Sequence, residues 1–253
     1  MSVYKITFSP TGGTEKIASR LASVFGDVHN IDLTDPAADY SRMILNPDDI
    51  CITAVPSFGG RVPAAAASRL AKIQARGAKA IATVVYGNRD YDDTLLELQS
   101  ILTAAGFRCA AAVAAIAEHS ILRQFAQGRP DTEDEAQLNQ FAGQIRDVIE
   151  ADRISGHIAL PGHTPYREYN GVPIKPKAGR GCTSCGLCAQ KCPVGAIPAD
   201  SPSQTDTKAC ISCMRCVSIC PSHARSVNPL MLAAAAQKMK KSCQTRKENE
   251  LFF

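Results

Sequence analysis

Two stretches in the C-terminal half share one cysteine pattern: Cys182–Pro193 reads CTSCGLCAQKCP and Cys210–Pro221 reads CISCMRCVSICP. Each follows the spacing C-x2-C-x2-C-x3-C-P, and together they hold most of the 11 cysteines of this 253-residue chain. Thiolates so closely spaced converge on one small centre only if the backbone wraps around it. The proline after each fourth cysteine fixes φ, which suits a sharp exit from that wrap. These stretches therefore decide how this part of the chain folds.

This spacing is typical of proteins that hold two [4Fe–4S] clusters. In such proteins the first three cysteines of a run ligate one cluster and the fourth ligates the other. A zinc site would leave several of these ligands spare, and a disulfide framework is typical of small secreted domains. The two predicted ligand sets are Cys182, Cys185, Cys188 and Cys220 for one cluster, and Cys210, Cys213, Cys216 and Cys192 for the other.

The charge of the chain is divided unevenly. Residues 1–150 carry 14 basic and 18 acidic side chains, a net charge of −4, whereas residues 151–253 carry 14 and 6, a net charge of +8. Each cluster with its four thiolates brings a charge of about −2, so the basic surplus partly compensates anionic cofactors and no nucleic-acid partner is expected. The first residues read as a strand rather than a signal peptide, and no apolar run reaches about 20 residues. We therefore expect no membrane span and a cytoplasmic location.

The first 150 residues alternate between strand-like and helix-like segments. This alternation predicts a parallel sheet with helices on both faces. The predicted strands are Val3–Phe8, Val28–Leu33, Ile50–Val55, Ala78–Tyr86 and Arg108–Ala117. The predicted helices are Thr14–Phe25, Pro63–Ala75, Asp92–Ala105 and Thr132–Glu150.

Three loops in this region point to a ligand. The loop Ser9–Glu15 lies between the first strand and a helix, where amide groups and the helix dipole favour a phosphate. It lacks the lysine of a P-loop and the G-x-G-x-x-G of a dinucleotide fold. The loops Val55–Pro63 and Tyr86–Asp92 follow the third and fourth strands, at the sheet edge where open α/β folds bind ligands.

Ser9, Thr11, Gly12 and Thr14 match the S/T-x-T-G-x-T phosphate loop of flavodoxins. With both cysteine runs, the whole chain resembles the flavodoxin–ferredoxin fusion proteins of anaerobic bacteria and archaea. The resemblance implies a flavodoxin-like, doubly wound, five-stranded parallel sheet of order 2-1-3-4-5 that binds FMN, followed by a C-terminal α+β dicluster ferredoxin domain. The expected divisions are 1–150 for the FMN-binding domain, 151–180 for a Pro/Gly-rich connector, 181–228 for the ferredoxin domain and 229–253 for a helix and basic tail.

The same resemblance implies roles for the three loops. Phe58 and Tyr91 become stacking residues, while Gly59, Gly87 and Asn88 present backbone or amide groups to the pyrimidine edge of the flavin. The full expected set of FMN-binding residues is Ser9, Thr11, Gly12, Gly13, Thr14, Pro56, Ser57, Phe58, Gly59, Gly87, Asn88 and Tyr91.

Several residues have two interpretations. His119, after the fifth strand, makes a structural hydrogen bond or donates a proton beside the flavin. Tyr166 and Tyr169 cover the flavin or anchor the connector. Cys243 lies in a basic stretch and is expected to be exposed, with a lowered pKa. The apolar triplet 251–253 docks onto the protein itself or onto a partner.

The function expected from these features is electron transfer between FMN, two [4Fe–4S] clusters and external redox proteins. One alternative is a flavin-dependent reductase of a small molecule such as a quinone, a nitro compound or a flavin, fed through the clusters, with His119 as the proton source. Another is a redox sensor or assembly factor that binds a partner through its basic tail.

Overall fold

A computed structural model describes residues 1–253, and its central element is a six-stranded sheet. The first five strands run parallel, which confirms the order 2-1-3-4-5. Their apolar sequences fit a sheet that is covered on both faces. The strands are β1 (Val3–Thr7), β2 (Val28–Asp32), β3 (Ile50–Pro56), β4 (Lys79–Tyr86), β5 (Arg108–Ile116) and β8 (Glu250–Phe252).

A sixth strand extends the predicted five-stranded parallel sheet at one edge. Strand β8 comes from the C-terminal tail and pairs antiparallel with β5, with Leu251 opposite Val113. The apolar triplet therefore docks onto the sheet of its own chain, where it covers the edge that β5 would otherwise leave unpaired.

Four helices cover the sheet and create two apolar cores. Helices α1 (Gly13–Ala22) and α4 (Thr132–Glu150) pack on one face, and α2 (Ala64–Leu70) and α3 (Thr94–Ala104) pack on the other. Helix α4 has its expected bounds because Asp131 caps it, accepting hydrogen bonds from the amides of Glu133 and Asp134. The second crossover is only a 3-10 turn, Tyr40–Arg42.

The connector lies extended along α3 and is held by polar side chains of the α/β domain. The two carboxylate oxygens of Asp93 accept hydrogen bonds from the amides of His163 and Arg167, at 2.9 and 2.7 Å. The side-chain amide of Gln99 both donates to and accepts from the backbone of Ile158. These bonds fix the path of the connector on the domain.

The cysteine-rich segment has little regular structure. Two short helices, α5 (Leu187–Gln190) and α6 (Arg215–Ser218), lie inside the cysteine runs, and strands β6 (Lys177–Ala178) and β7 (Arg225–Ser226) form an antiparallel pair. Helix α7 (Pro229–Cys243) follows and leads to β8. None of the helices is long and apolar enough to cross a membrane.

Candidate functional site

A cavity of about 560 Å³ opens at the carboxyl ends of β1, β3 and β4. All three predicted ligand loops contribute to its wall, which agrees with the usual position of ligands in open α/β sheets. Its volume lies within the range of roughly 300–1,000 Å³ that is typical of cofactor sites. The predicted residues in the wall are Thr11, Gly13, Thr14, Pro56, Ser57, Phe58, Gly59, Gly87 and His119.

The loop before α1 is shaped to receive an anion. Gly12 has a φ of +92° and offers no capping side chain, so the amides of Gly13 and Thr14 at the start of α1 are left without a side-chain partner. The hydroxyl of Ser9 accepts a hydrogen bond from the amide of Glu15 at 2.9 Å and thereby holds the loop against the helix. Free amides and the positive end of the helix dipole favour a phosphate at this end of the cavity.

Two glycines allow close packing at the cavity wall. A Cβ atom on Gly59 would lie only 2.2 Å from the ring of Tyr169, and Gly59 has a φ of +62°. A Cβ atom on Gly87 would lie 2.6 Å from the side chain of His119. Both positions therefore require glycine in order to keep Tyr169 and His119 where they are.

Four predicted FMN-binding residues lie outside this wall, namely Ser9 and Gly12 of the loop before α1, and Tyr91 and Asn88. The ring of Tyr91 is buried against Tyr86, and its hydroxyl donates to Glu250 of β8 at 3.1 Å. The amide of Asn88 donates to the carbonyl groups of Cys243 and Thr245 and accepts from the amide of Lys247. Both side chains bind the C-terminal tail instead.

His119 faces the cavity with its ring held in one orientation. Its Nδ1 accepts hydrogen bonds from the amides of Ile121 and Leu122, both at 3.2 Å, so the proton of the neutral ring resides on Nε2. Burial lowers the pKa of His119 to about 4, and nearby Arg89 acts in the same direction. Near neutral pH the ring is therefore a neutral hydrogen-bond donor and a poor acid.

The remaining wall of the cavity comes from parts of the chain distant in sequence. Tyr169, Val172 and Ile174 of the connector line one side, while Met231, Ala234, Ala235 and Met239 of α7 line another. The prediction for Tyr169 included a covering role, but the contribution of α7 was not foreseen. The run of alanines from 233 to 236 was the available signal, because small side chains permit close approach of a helix.

Cys243, at the end of α7, corrects another expectation. Its side chain is buried rather than exposed, and burial raises the pKa of its thiol rather than lowering it. The expectation was wrong because the tail folds back onto Asn88, which covers this position.

The two cysteine runs adopt the same backbone conformation. The amides of Ala196 and Ala224 donate to the sulfur atoms of Cys192 and Cys220, both at 3.3 Å. Residues with a left-handed backbone conformation recur at equivalent positions of the two runs. Such residues turn successive backbone amides towards one point, as in an anion-binding nest. These residues are Ser184 and Ser212, Gly186 and Met214, and Gly195 and His223.

Cys192 lies with the second run, as the exchange of fourth ligands requires. A small cavity is lined by Cys192, Cys210, Cys213 and Cys216 together. Burial raises the pKa of Cys213 to about 12, and the neighbouring thiols of Cys192, Cys216 and Cys210 also raise it. These four residues therefore have the donor chemistry and the common cavity that a [4Fe–4S] cluster needs.

The chain that follows Cys220 lies beside the start of the first run. The amide of Gly179 donates to the carbonyl of Ala224 at 2.7 Å, which holds the chain before Cys182 against the chain after Cys220. No set of three or more His, Cys, Asp or Glu side chains has the spacing to hold a single metal ion. The four sulfur atoms that bind a [4Fe–4S] cluster can lie farther apart than the ligands of a single ion, because each thiolate binds a different iron.

One residue lines both cavities. Ile211, directly after Cys210, contributes to the wall of the large cavity and to that of the small cysteine cavity. Arg69 of α2 fixes this arrangement, since its guanidinium donates to the carbonyl groups of Leu33 in the α/β domain and Pro193 in the cysteine-rich segment. The two sites are therefore immediate neighbours.

Residues 172–225 match the family described as the 4Fe-4S dicluster domain. The match begins within the expected connector and covers both cysteine runs. This domain gives the chain a redox role, with iron–sulfur clusters as its cofactors. No curated protein matches the chain.

Solved structures resemble the α/β part of the chain. A rubredoxin:oxygen oxidoreductase from Desulfovibrio gigas is 20% identical, with a TM-score of 0.44, over 60% of this chain and 37% of that one, so this chain spans little more than a third of that protein. A flavodoxin from Streptococcus pneumoniae TIGR4 is 23% identical over 58% of this chain and 99% of its own, with a TM-score of 0.41. An NADH:FMN oxidoreductase in its apo form is 18% identical over 62% and 95%, with a TM-score of 0.43.

Proposed function

We propose that the chain is an electron-transfer flavo-iron–sulfur protein that carries FMN in the large cavity and two [4Fe–4S] clusters in the cysteine runs. The observation that carries this proposal is the position of Ile211, which lines both the large cavity and the cysteine cavity. A single side chain between two redox sites permits direct electron exchange. External redox proteins would serve as donor and acceptor.

The cofactors supply complementary chemistry, because FMN exchanges one or two electrons whereas each cluster exchanges one. The residues of the chain determine where these groups bind. The free amides of α1 and the hydroxyl groups of Thr11 and Thr14 would hold the phosphate, and the absence of a dinucleotide fingerprint favours FMN over a dinucleotide flavin. Gly59 and Gly87 would let the two ring loops approach closely.

The walls of the large cavity favour a carrier over a small-molecule reductase. Helix α7 and Tyr169 add mainly apolar side chains to the wall of this cavity. A reductase also needs a proton donor near the flavin. His119 is neutral and its Nδ1 is occupied by two amides, so it is suited to orienting a ligand through Nε2 rather than to acid catalysis.

The decisive experiment is anaerobic purification followed by iron and flavin analysis and a stepwise reductive titration. We expect about eight irons and one FMN per chain, because there are two complete cysteine runs and one phosphate loop. An iron content near four, or the absence of flavin, would contradict the proposal.

A His119→Gln variant separates the carrier from the reductase. For a carrier, the rate of electron delivery to a protein acceptor such as cytochrome c stays within about twofold of the wild type. A loss of more than tenfold in the reduction of quinones or nitro compounds, with unchanged flavin content, would instead support the reductase.

A further inference from the structure

Two arginines in the cysteine-rich segment have unusual surroundings. Among all buried side-chain nitrogen and oxygen atoms of the structure, only three lack a hydrogen-bond partner, and two of them are the Nε atoms of Arg215 and Arg225. A buried guanidinium without full pairing is costly unless an anion compensates its charge. Both arginines lie beside cysteines of the cluster runs.

Arg225 is only 3% exposed and pairs with no carboxylate. Its Nη atoms donate to the hydroxyl of Thr205 at 2.9 Å and to the carbonyl groups of Pro202 and Gln204. The carbonyl of Pro202 also lies 3.6 Å from the sulfur of Cys188 in the first run. Thr205, which accepts from Arg225, lines the small cavity together with Cys216 and the other cysteines of the second set. The guanidinium of Arg225 therefore lies between the two cysteine sets.

Arg215 occupies the other side of the second set. It lines the cavity formed by Cys192, Cys210, Cys213 and Cys216, and its Nη1 lies 3.5 Å from the carbonyl oxygen of Ser9 in the phosphate loop. Its nearest carboxylate, on Asp32, is 3.9 Å away, at the limit of an ion pair. Arg215 therefore lies between the phosphate loop and the second cluster site.

The cysteine scaffold itself does not require these cations. The two runs have the same spacing, so Leu187 occupies in the first run the place of Arg215 in the second. Likewise, Ile197 lies five residues after Cys192, as Arg225 lies five residues after Cys220. The first run therefore adopts the same backbone conformation with aliphatic side chains at both positions. We conclude that the arginines have a role other than maintaining the fold.

We propose that Arg215 and Arg225 are fixed counter-charges placed between three anionic cofactor sites, and that they raise the reduction potentials of the clusters. This inference rests on the proposed function. A one-electron reduction makes a cluster more negative, so a nearby buried cation stabilises the reduced form more than the oxidised form. Solvent does not screen such a cation as it screens a surface lysine.

The test is a dithionite titration of the holoprotein followed by EPR, in which each cluster takes one electron as dithionite is oxidised. Arg225→Ile introduces the residue found at the equivalent position, Ile197, and removes the charge. Arg215→Leu does the same with the residue found at Leu187. We expect each to shift the reduction equilibrium of at least one cluster tenfold or more towards the oxidised form, about 59 mV for one electron. Arg225→Lys keeps the charge and should stay close to the wild type.

Lys177→Ile is the matched control, because it removes the same charge from an exposed side chain on β6, opposite Ser226 of β7. A shift as large as that of Arg225→Ile would overturn the proposal, as would unchanged potentials in both arginine variants that still hold about eight irons. Because that iron content and the flavin content are measured separately, this failure is distinct from failure of the proposed function.

Loss of iron in a variant is also decisive. If Arg225→Ile and Arg225→Gln lose their clusters whereas Arg225→Lys retains them, the positive charge is needed and the proposal stands. If Arg225→Lys loses them as well, the role of Arg225 is structural and the proposal fails for that residue.

Discussion

The sheet and the cysteine-rich segment differ in how much apolar surface they bury. The sheet and its helices form cores of 27 residues on one face and 19 on the other. Residues 181–228 bury only six apolar or cysteine side chains, namely Cys192, Pro193, Ala196, Ile197, Pro202 and Met214. A segment this short with so small a core needs metal centres for stability. The α/β part therefore folds on its own core, while the cysteine-rich segment depends on its clusters.

The largest effect is expected from removing a cluster ligand. Cys213→Ser should abolish the second cluster and unfold much of residues 172–225, because little else holds that segment together, while the sheet stays folded. Hydrogen exchange measured by mass spectrometry, with iron analysis, checks this. Cys51→Ala is the control, since Cys51 is buried in β3 and should leave the iron content unchanged. Native exchange protection in an iron-depleted Cys213→Ser variant would refute the comparison.

A smaller effect is expected where the tail binds the sheet. The side chain of Asn249 accepts from the amide of Ile116 at 2.9 Å and donates to Gln137 and Asp134 at 2.7 and 3.1 Å. Asn249→Ala leaves the buried amide of Ile116 without this partner and removes the bonds to Gln137 and Asp134, so it should lower the free energy of unfolding by about 2–3 kcal/mol.

Urea unfolding followed by circular dichroism measures this change. The exposed neighbour Glu248 provides the control, and Glu248→Ala should cost less than about 0.5 kcal/mol. Equal losses in the two variants would mean that β8 contributes little to the sheet.

His119 gives the α/β part a specific pH dependence. Its pKa is lowered to about 4 in the folded protein by burial, against an ordinary value of about 6.5. The unfolded chain therefore binds more protons, so this stabilisation is present above pH 6.5 and is lost as the pH falls towards 4. Between pH 6.5 and 5 the loss should be about 2 kcal/mol. His119→Gln should remove this slope from unfolding curves, and an unchanged slope would contradict a buried neutral ring.

The smallest effect is expected at Gly59, where Tyr169 of the connector packs against the loop after β3. Gly59→Ala would push the ring of Tyr169 away from the cavity wall and should weaken FMN binding about tenfold, or 1.4 kcal/mol. Gly26→Ala is the matched control, because Gly26 also has a positive φ, +85°, but has no neighbour within 4 Å. Fluorescence titration of the flavin-free protein with FMN measures both. Equal weakening in the two variants would assign the effect to backbone strain alone.

Local patterns in the sequence predicted the parallel sheet and the repeated conformation of the cysteine runs, whereas the strand order was implied by the resemblance to flavodoxins. Alternating strands and helices impose a parallel sheet, and a recurring spacing imposes a recurring backbone conformation. The position of Cys192 beside Cys210, Cys213 and Cys216 follows from the same pattern.

The contacts of the C-terminal tail could not be predicted in the same way. Strand β8 has only three residues, too few for an alternation to be visible, and its pairing with β5 spans more than a hundred residues of chain. Tyr91 and Asn88 lie in the expected loop, yet they bind the tail because it occupies the space beside them. Contacts between segments so far apart depend on the packed structure rather than on any local pattern.

Strand β8 also determines the outcome of proteolytic cleavage in the connector. The dicluster domain lies between α4 and β8, and both of these elements pack against β5 or the helices around it. Cleavage of the connector by a protease would therefore leave two fragments that still share one sheet. The C-terminal fragment would retain the clusters and remain attached through Asn249, Arg246 and the β8 ladder. The proposed electron path would therefore survive a break in the polypeptide that carries it.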